Sequence, residues 1–321
     1  MFQNHTATDS QGIEILPWNG RSAAVSLTFD DAQPSHIAHL DTLTATGVPM
    51  TFFVNSNVSF PGSDEAWRRA VASGHELGCH TASHPHMPSG QPMGEGIFGK
   101  TEASPEDEME RCDRFILDTA GQRRVWTFAS PYGDEGWEPL AGSRYALVRS
   151  VANGTVPAEN DPLYEDIVPT HLPCHMAMPG ESAQETFIPL IERSRDERSW
   201  LIFCFHSILP TEENWFAGVG IDEITESVRH ALGRKDVWVD TFANIGSYWL
   251  ARKAVHAAAP ASDARGLEWK WDVIPGLIGE TSLLVRARGG DLFQGATRLK
   301  ARENGLYDVL FSAGNLRLEF R

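Results

Sequence analysis

Ala24-Val25-Ser26-Leu27-Thr28-Phe29-Asp30-Asp31 is an apolar run that ends abruptly in two adjacent carboxylates. Six residues rich in apolar and β-branched types predict a buried strand, and the paired acids mark where it leaves the core. Two neighbouring carboxylates cannot both enter an apolar interior, because burying either unpaired is costly. The same form recurs along the chain: Pro49–Val54, Glu76–Cys79, Val125–Ala129, Ala146–Val151, Leu201–His206 and Val237–Val239 also read as short strands. Helical patterns separate them at Pro34–Thr46, Asp64–Ser73, Glu185–Glu197, Asp222–Leu232 and Thr241–Ala259. One more helix starts at Ser104-Pro105-Glu106-Asp107, an N-cap followed by proline and first-turn acids. Alternating strand and helix over this length predicts an α/β fold with a parallel sheet inside and helices outside, open or closed into a barrel.

The pattern changes near Ala257–Arg265. Beyond it Leu316, Leu318 and Phe320 alternate with Arg317, Glu319 and Arg321, the period of a half-buried strand. Glu268–Ile274, Ser282–Arg288 and Leu306–Phe311 read likewise. The expected organisation is a main α/β domain over residues 1–260 and a small antiparallel β domain over 261–321, which offers a surface for oligomerisation.

The charge is −16 over 321 residues. Residues 1–262 hold 18 Lys/Arg against 35 Asp/Glu, and the remainder nine against eight. A surface this acidic repels phosphate backbones and anionic lipid, which argues against nucleic acid or membrane as partner. No stretch approaches the ~18 apolar residues of a membrane-spanning helix. No leader pattern is visible in Met1–Gly20, so the expected location is the cytoplasm, a mature secreted form being the alternative. Cys79, Cys112, Cys174 and Cys204 form no CxxC pair and read as small buried hydrophobes.

Four polar clusters fall just past the C-terminal ends of separate strands, where parallel α/β folds bind ligands. They are Asp30-Asp31, His80-Thr81-Ala82-Ser83-His84-Pro85-His86, Ser130-Pro131-Tyr132-Gly133 and His206. Alone, each has a plain structural reading as a turn, a cap or a satisfied histidine. Together one Asp and two His give a three-ligand metal site with room for water and substrate. The other carboxylate of the pair is then available as general base and His206 as general acid, an arrangement suited to amide or ester hydrolysis. Trp215 and Phe216, in a loop after His206, are candidate sugar-stacking rings.

These residues resemble the polysaccharide deacetylases of carbohydrate esterase family four, the NodB-homology domain, over about residues 22–250. Thr28–Asp31 is similar to the family's TFDD motif, and His80–Pro85 to its H-[ST]-x-x-H-P motif. The resemblance implies Asp30 as base, with Asp31, His80 and His84 holding a divalent metal, zinc before cobalt, nickel or manganese. It implies Tyr132, beside Pro131, as an oxyanion-hole donor through its backbone N–H, and His206 as acid. It also implies a distorted barrel of about seven strands and an acetyl pocket lined by Leu201, Ile202 or Cys204; with the loop residue Trp215, the expected substrate contacts are Pro131, Tyr132, Trp215 and Leu201. The implied activity is removal of acetyl from N-acetylated amino sugars. O-acetyl ester cleavage, cyclic amide or imide hydrolysis, and non-catalytic sugar binding are the alternatives. Two departures stand out: Ala129 occupies the place of an arginine that braces the base, with Arg149 as a candidate substitute, and Ala32 stands where glycine is common.

Overall fold

A computed structural model describes residues 12–99, 102–158, 166–302 and 305–321. Its described part opens with strand β1 (Ile13–Ile15) and continues into a ring of parallel strands. The ring runs β2 (Ala23–Asp30), β3 (Thr51–Val54), β4 (Glu76–Cys79), β5 (Thr127–Ala129), β6 (Leu147–Asn153), β7 (Leu172–Met176) and β8 (Trp200–Phe205), and β8 pairs back onto β2. Seven parallel strands thus close a barrel, the number expected, with Leu172–Met176 in the ring and Val237–Val239 outside it. The two-stranded pair β9 (Ile208–Leu209) and β10 (Val219–Gly220) lies within the loop after β8. β11 (Val237–Val239) extends the sheet by pairing with the first half of β2, on the edge whose second half carries β3.

Alternation along the strands sorts the side chains. Val25, Leu27 and Phe29 of β2, with Leu201, Phe203 and Phe205 of β8, pack outward against the helix layer. The intervening Ala24, Ile202 and Cys204 belong to the inner cluster, as the two-residue period requires. The helices are α1 (Pro34–Ala38), α2 (Leu40–Thr44), α3 (Ser63–Ala72), α4 (Pro105–Arg114), α5 (Glu138–Arg144), α6 (Ile188–Glu197), α7 (Ile221–Gly233) and α8 (Phe242–Ala257). Helix α4 starts on the predicted cap: the Ser104 hydroxyl accepts from the Asp107 amide at 3.1 Å. The single helix expected over Pro34–Thr46 is broken at His39 into α1 and α2.

Helix α8 closes the end of the barrel away from the C-terminal strand ends. Its first two turns donate to side chains at the strand starts, Phe242 N–H to Thr51 and Ala243 N–H to Glu76, both at 2.9 Å. Further along, the Tyr248 hydroxyl donates to Leu16 O at 2.6 Å and Arg252 Nε to Ile15 O at 3.0 Å. Helix α8 is buried over most of its circumference, as a helix sandwiched between two layers must be.

The second layer is antiparallel. Strands β12 (Ala261–Asp263), β13 (Gly266–Lys270), β14 (Ser282–Ala287), β15 (Gly290–Gln294), β16 (Thr297–Arg298), β17 (Leu306–Leu310) and β18 (Asn315–Phe320) form two sheets ordered β12-β13-β18-β15-β16 and β1-β14-β17. The N-terminal strand β1 thus completes a sheet otherwise made of C-terminal residues, Ile15 facing Val285 in the register. No described helix is long and apolar enough to cross a membrane.

Candidate active site and metal centre

Asp30 is the last residue of β2, and Asp31 follows it with φ +79°, in the left-handed region. Five of the nine described non-glycine residues with positive φ are Asp31, Ala32, Thr81, His84 and Tyr132. Such conformations cost roughly 1–3 kcal/mol each and persist where surrounding contacts enforce them. Their concentration at three strand ends marks the site before any chemistry is considered. Ala32, at φ +52°, takes the conformation that a glycine there would adopt freely.

Asp31, His80 and His84 converge. The Asp31 Oδ1 oxygen lies 3.7 Å from His80 Nε2 and 3.5 Å from His84 Nε2. All three side chains are buried, with one donor atom from each within 4.8 Å of the others. His80 Nδ1 is 2.7 Å from the Ala129 carbonyl oxygen. A carbonyl only accepts, so Nδ1 carries the proton and Nε2 turns its lone pair toward Asp31. Asp31 is itself oriented by Gln33 Nε2, which donates to Oδ2 at 3.2 Å. Burial and the charge of Asp30 push the Asp31 carboxyl up to about 7, and burial pushes the His84 imidazole down to about 2. Two neutral imidazoles and a carboxylate under this strain are a donor set that a divalent cation fits.

Asp30 has the opposite electrostatics. Burial, the largest single influence, would raise its pKa, but the Arg149 guanidinium together with His80 and His206 outweighs it and holds the carboxyl down at about 2. Arg149 Nη2 donates directly to Asp30 Oδ2, from the third residue of β6. The guanidinium lies 5.2 Å over the Phe53 ring, and Nη1 reaches the Ser150 carbonyl at 3.2 Å. The arginine brace is therefore present, supplied by β6 rather than from Ala129 at the end of β5. Cys204 Sγ donates to the same Asp30 oxygen at 3.5 Å, while Asp30 Oδ1 has no hydrogen-bond partner among the described residues.

His206 follows β8. Its backbone carbonyl accepts from His36 Nε2 of α1 at 2.7 Å. One donor atom each of His206, Asp30 and Cys204 lie within 4.8 Å of one another. Burial pushes His206 down to about 4, and its Nδ1 has no partner among the described residues. Asp30 therefore stands between the Asp31–His80–His84 group and His206.

The rim is aromatic. Tyr132, at φ +57° in the turn after buried Pro131, stacks on His86 with centroids 3.4 Å apart and meets His84 edge-on at 4.4 Å. On the other side Phe98 contacts His84 at 5.9 Å and Trp215 at 5.5 Å, and Phe216 meets His206 at 4.7 Å. Trp215 and Phe216 are exposed at this rim.

Leu201 is the correction. It pairs with Val25 near the start of β8 and packs outward against the helix layer, five residues before His206. At about 3.3 Å rise per residue this is far from the site, and on the wrong face. Of the three pocket candidates, Cys204 reaches Asp30. Among residues the sequence did not single out, His36 sits behind His206, and Glu108 accepts from the amides of Ala82 and Ser83.

Residues 19–146 match the sequence profile of the polysaccharide deacetylase family. This segment is similar to a polysaccharide deacetylase domain. It includes β2 to β5, and with them Asp30, Asp31, His80, His84 and Tyr132. A chitooligosaccharide deacetylase of Bradyrhizobium sp. (strain ANU 289) is 33% identical over 130 residues, which are 40% of this chain and 54% of that protein. A gellan lyase of Bacillus sp. is 24% identical over 307 residues, 89% of this chain but 12% of that protein. The chain thus spans about half the length of the first relative and a small part of the second. A Mycobacterium smegmatis structure assigned as a polysaccharide deacetylase superposes with a TM-score of 0.52 over 75% of this chain and 96% of that one, at 17% identity. At that identity the likeness speaks for the fold alone.

Proposed function

We propose that this chain is a metal-dependent carbohydrate deacetylase that hydrolyses acetyl groups from N-acetylated amino sugars. The observation that carries this reading is the convergence of Asp31, His80 and His84 beside an ionised, arginine-held Asp30 with His206 next to it. A divalent cation, zinc first, supplies Lewis-acid polarisation of the acetyl carbonyl when held by Asp31, His80 and His84. Asp30 takes a proton from the attacking water. Arg149 keeps that carboxylate charged in a buried position, so it is ready to accept at neutral pH. His206 passes a proton to the departing amine. Burial keeps its imidazole neutral at rest, so the proton it gives is one gained within the reaction, with Asp30 as its neighbour. The Tyr132 backbone N–H serves the developing oxyanion. Tyr132, His86, Trp215 and Phe216 present ring faces to the sugar.

Acetate release from chitooligosaccharides by zinc-loaded protein tests this reading, with acetylated xylan assayed in parallel. Release from the amide substrate is expected, lost to a chelator and restored by zinc or cobalt. Release from the ester alone would convert the reading to an O-acetyl esterase. Asp30→Asn should lower turnover by about 10²–10⁴-fold, the usual worth of a general base, while bound zinc is unchanged. A fully active Asp30→Asn enzyme would remove Asp30 from the mechanism.

A further inference from the structure

His80 and His84 are joined by three residues whose backbone is tightly constrained. Thr81 and His84 both have left-handed φ, at +66° and +57°. The Thr81 hydroxyl accepts from the His84 amide at 3.0 Å. Asn55 Nδ2 donates to the His80 carbonyl and, at 3.3 Å, to that of Thr81. The two amides between them point elsewhere. Ala82 N–H and Ser83 N–H both donate to Glu108 Oε2, at 3.0 and 2.7 Å.

Glu108 lies on the first turn of α4, is fully buried, and comes from a part of the chain 24 residues beyond His84. Its other oxygen, Oε1, has no hydrogen-bond partner among the described residues, and Arg111 Nη1 is 3.9 Å away. A carboxylate buried at this depth is costly unless its hydrogen bonds are good. Its two strong bonds both go to the segment that carries the histidines.

We infer that Glu108 is a positioning residue for the metal centre: by accepting from two successive amides it fixes the turn that brings His84 back toward His80 and Asp31. This rests on the metal site proposed above and concerns how that site is built. Helix α4 would then set metal affinity from outside the ligand set, as hydrogen-bond partners behind metal ligands do elsewhere, with typical effects of 10–100-fold.

The test is zinc affinity by chelator competition, together with the visible spectrum of the cobalt-substituted protein, for wild type, Glu108→Ala, Glu108→Asp and Glu108→Gln. Glu108→Ala should weaken zinc binding at least tenfold and change the cobalt bands, with the far-UV spectrum of the folded protein retained. Glu108→Gln, whose carbonyl oxygen accepts the same two N–H groups, should recover to within about threefold of wild type. Glu108→Asp, one methylene shorter, should weaken binding and shift the cobalt bands, and it decides the matter if the alanine variant does not fold. Wild-type affinity and cobalt spectrum in Glu108→Asp, or in a folded Glu108→Ala, would overturn the inference. Failure of wild type itself to bind zinc would instead sink the metal reading on which it stands.

Discussion

At Asp30, burial pulls against Arg149, His80 and His206, of which Arg149 is the strongest. Together they win, and the carboxyl stays at about 2. With the folded pKa below the ordinary carboxylate value, the pair contributes stability above about pH 4 and loses it as the pH falls toward 2. Arg149→Met removes the opposing charge and leaves burial unbalanced, so the Asp30 pKa must rise. The acid limb of the kcat/KM profile should move to higher pH, and stability should fall by about 3–5 kcal/mol from the stranded buried charge. An unmoved acid limb in a folded variant would show that Arg149 does not hold the base. At this scale the sequence was partly transparent. Asp31, His80 and His84 lie in two short segments whose spacing is itself the signal. Arg149 was visible only as a charge at a strand end, because which strand faces Asp30 depends on barrel closure. Glu108 gave no signal: an acid in the first turn of a capped helix reads as ordinary helix chemistry.

Elements were legible where local preference and tertiary role agree. Glu76–Cys79 and Val237–Val239 form over the expected residues, and Ala24–Phe29 grows by one residue at each end. β7 was not foreseen, because Pro173 at its second residue breaks the strand pattern and polar His175 interrupts the apolar run. Leu201 was misplaced for a related reason. Inside and outside faces of a barrel strand are both apolar, so composition does not say which alternate set looks inward. The loop after His84 returns past its own start, where a Cβ on Gly96 would sit 2.1 Å from the Ser83 carbonyl oxygen. Gly96→Ala must therefore displace the segment carrying the histidines. Thermal melts should show a loss of about 1–3 kcal/mol, with zinc affinity reduced alongside. A variant matching wild type in both would mean that the loop adjusts freely.

Over the whole molecule, the barrel and the antiparallel layer share α8 as a seam, and β1 ties the start of the described chain to β14 near its end. A boundary drawn at residue 260 marks the change of pattern in the sequence. The β1–β14 pairing is invisible there, since a three-residue strand has no period to read. The centre of the proposal is the cation held by Asp31, His80 and His84, which come from two strand ends some 50 residues apart in the chain. Binding confined to the folded state stabilises it, by about 2.7 kcal/mol when zinc is at 100 times its Kd. The most direct measurement is therefore a calorimetric zinc titration of chelator-stripped protein beside its His84→Ala variant. One zinc per chain, with a higher Tm in wild type and neither effect in the variant, is the result predicted. Absence of binding, or binding untouched by loss of His84, would contradict it.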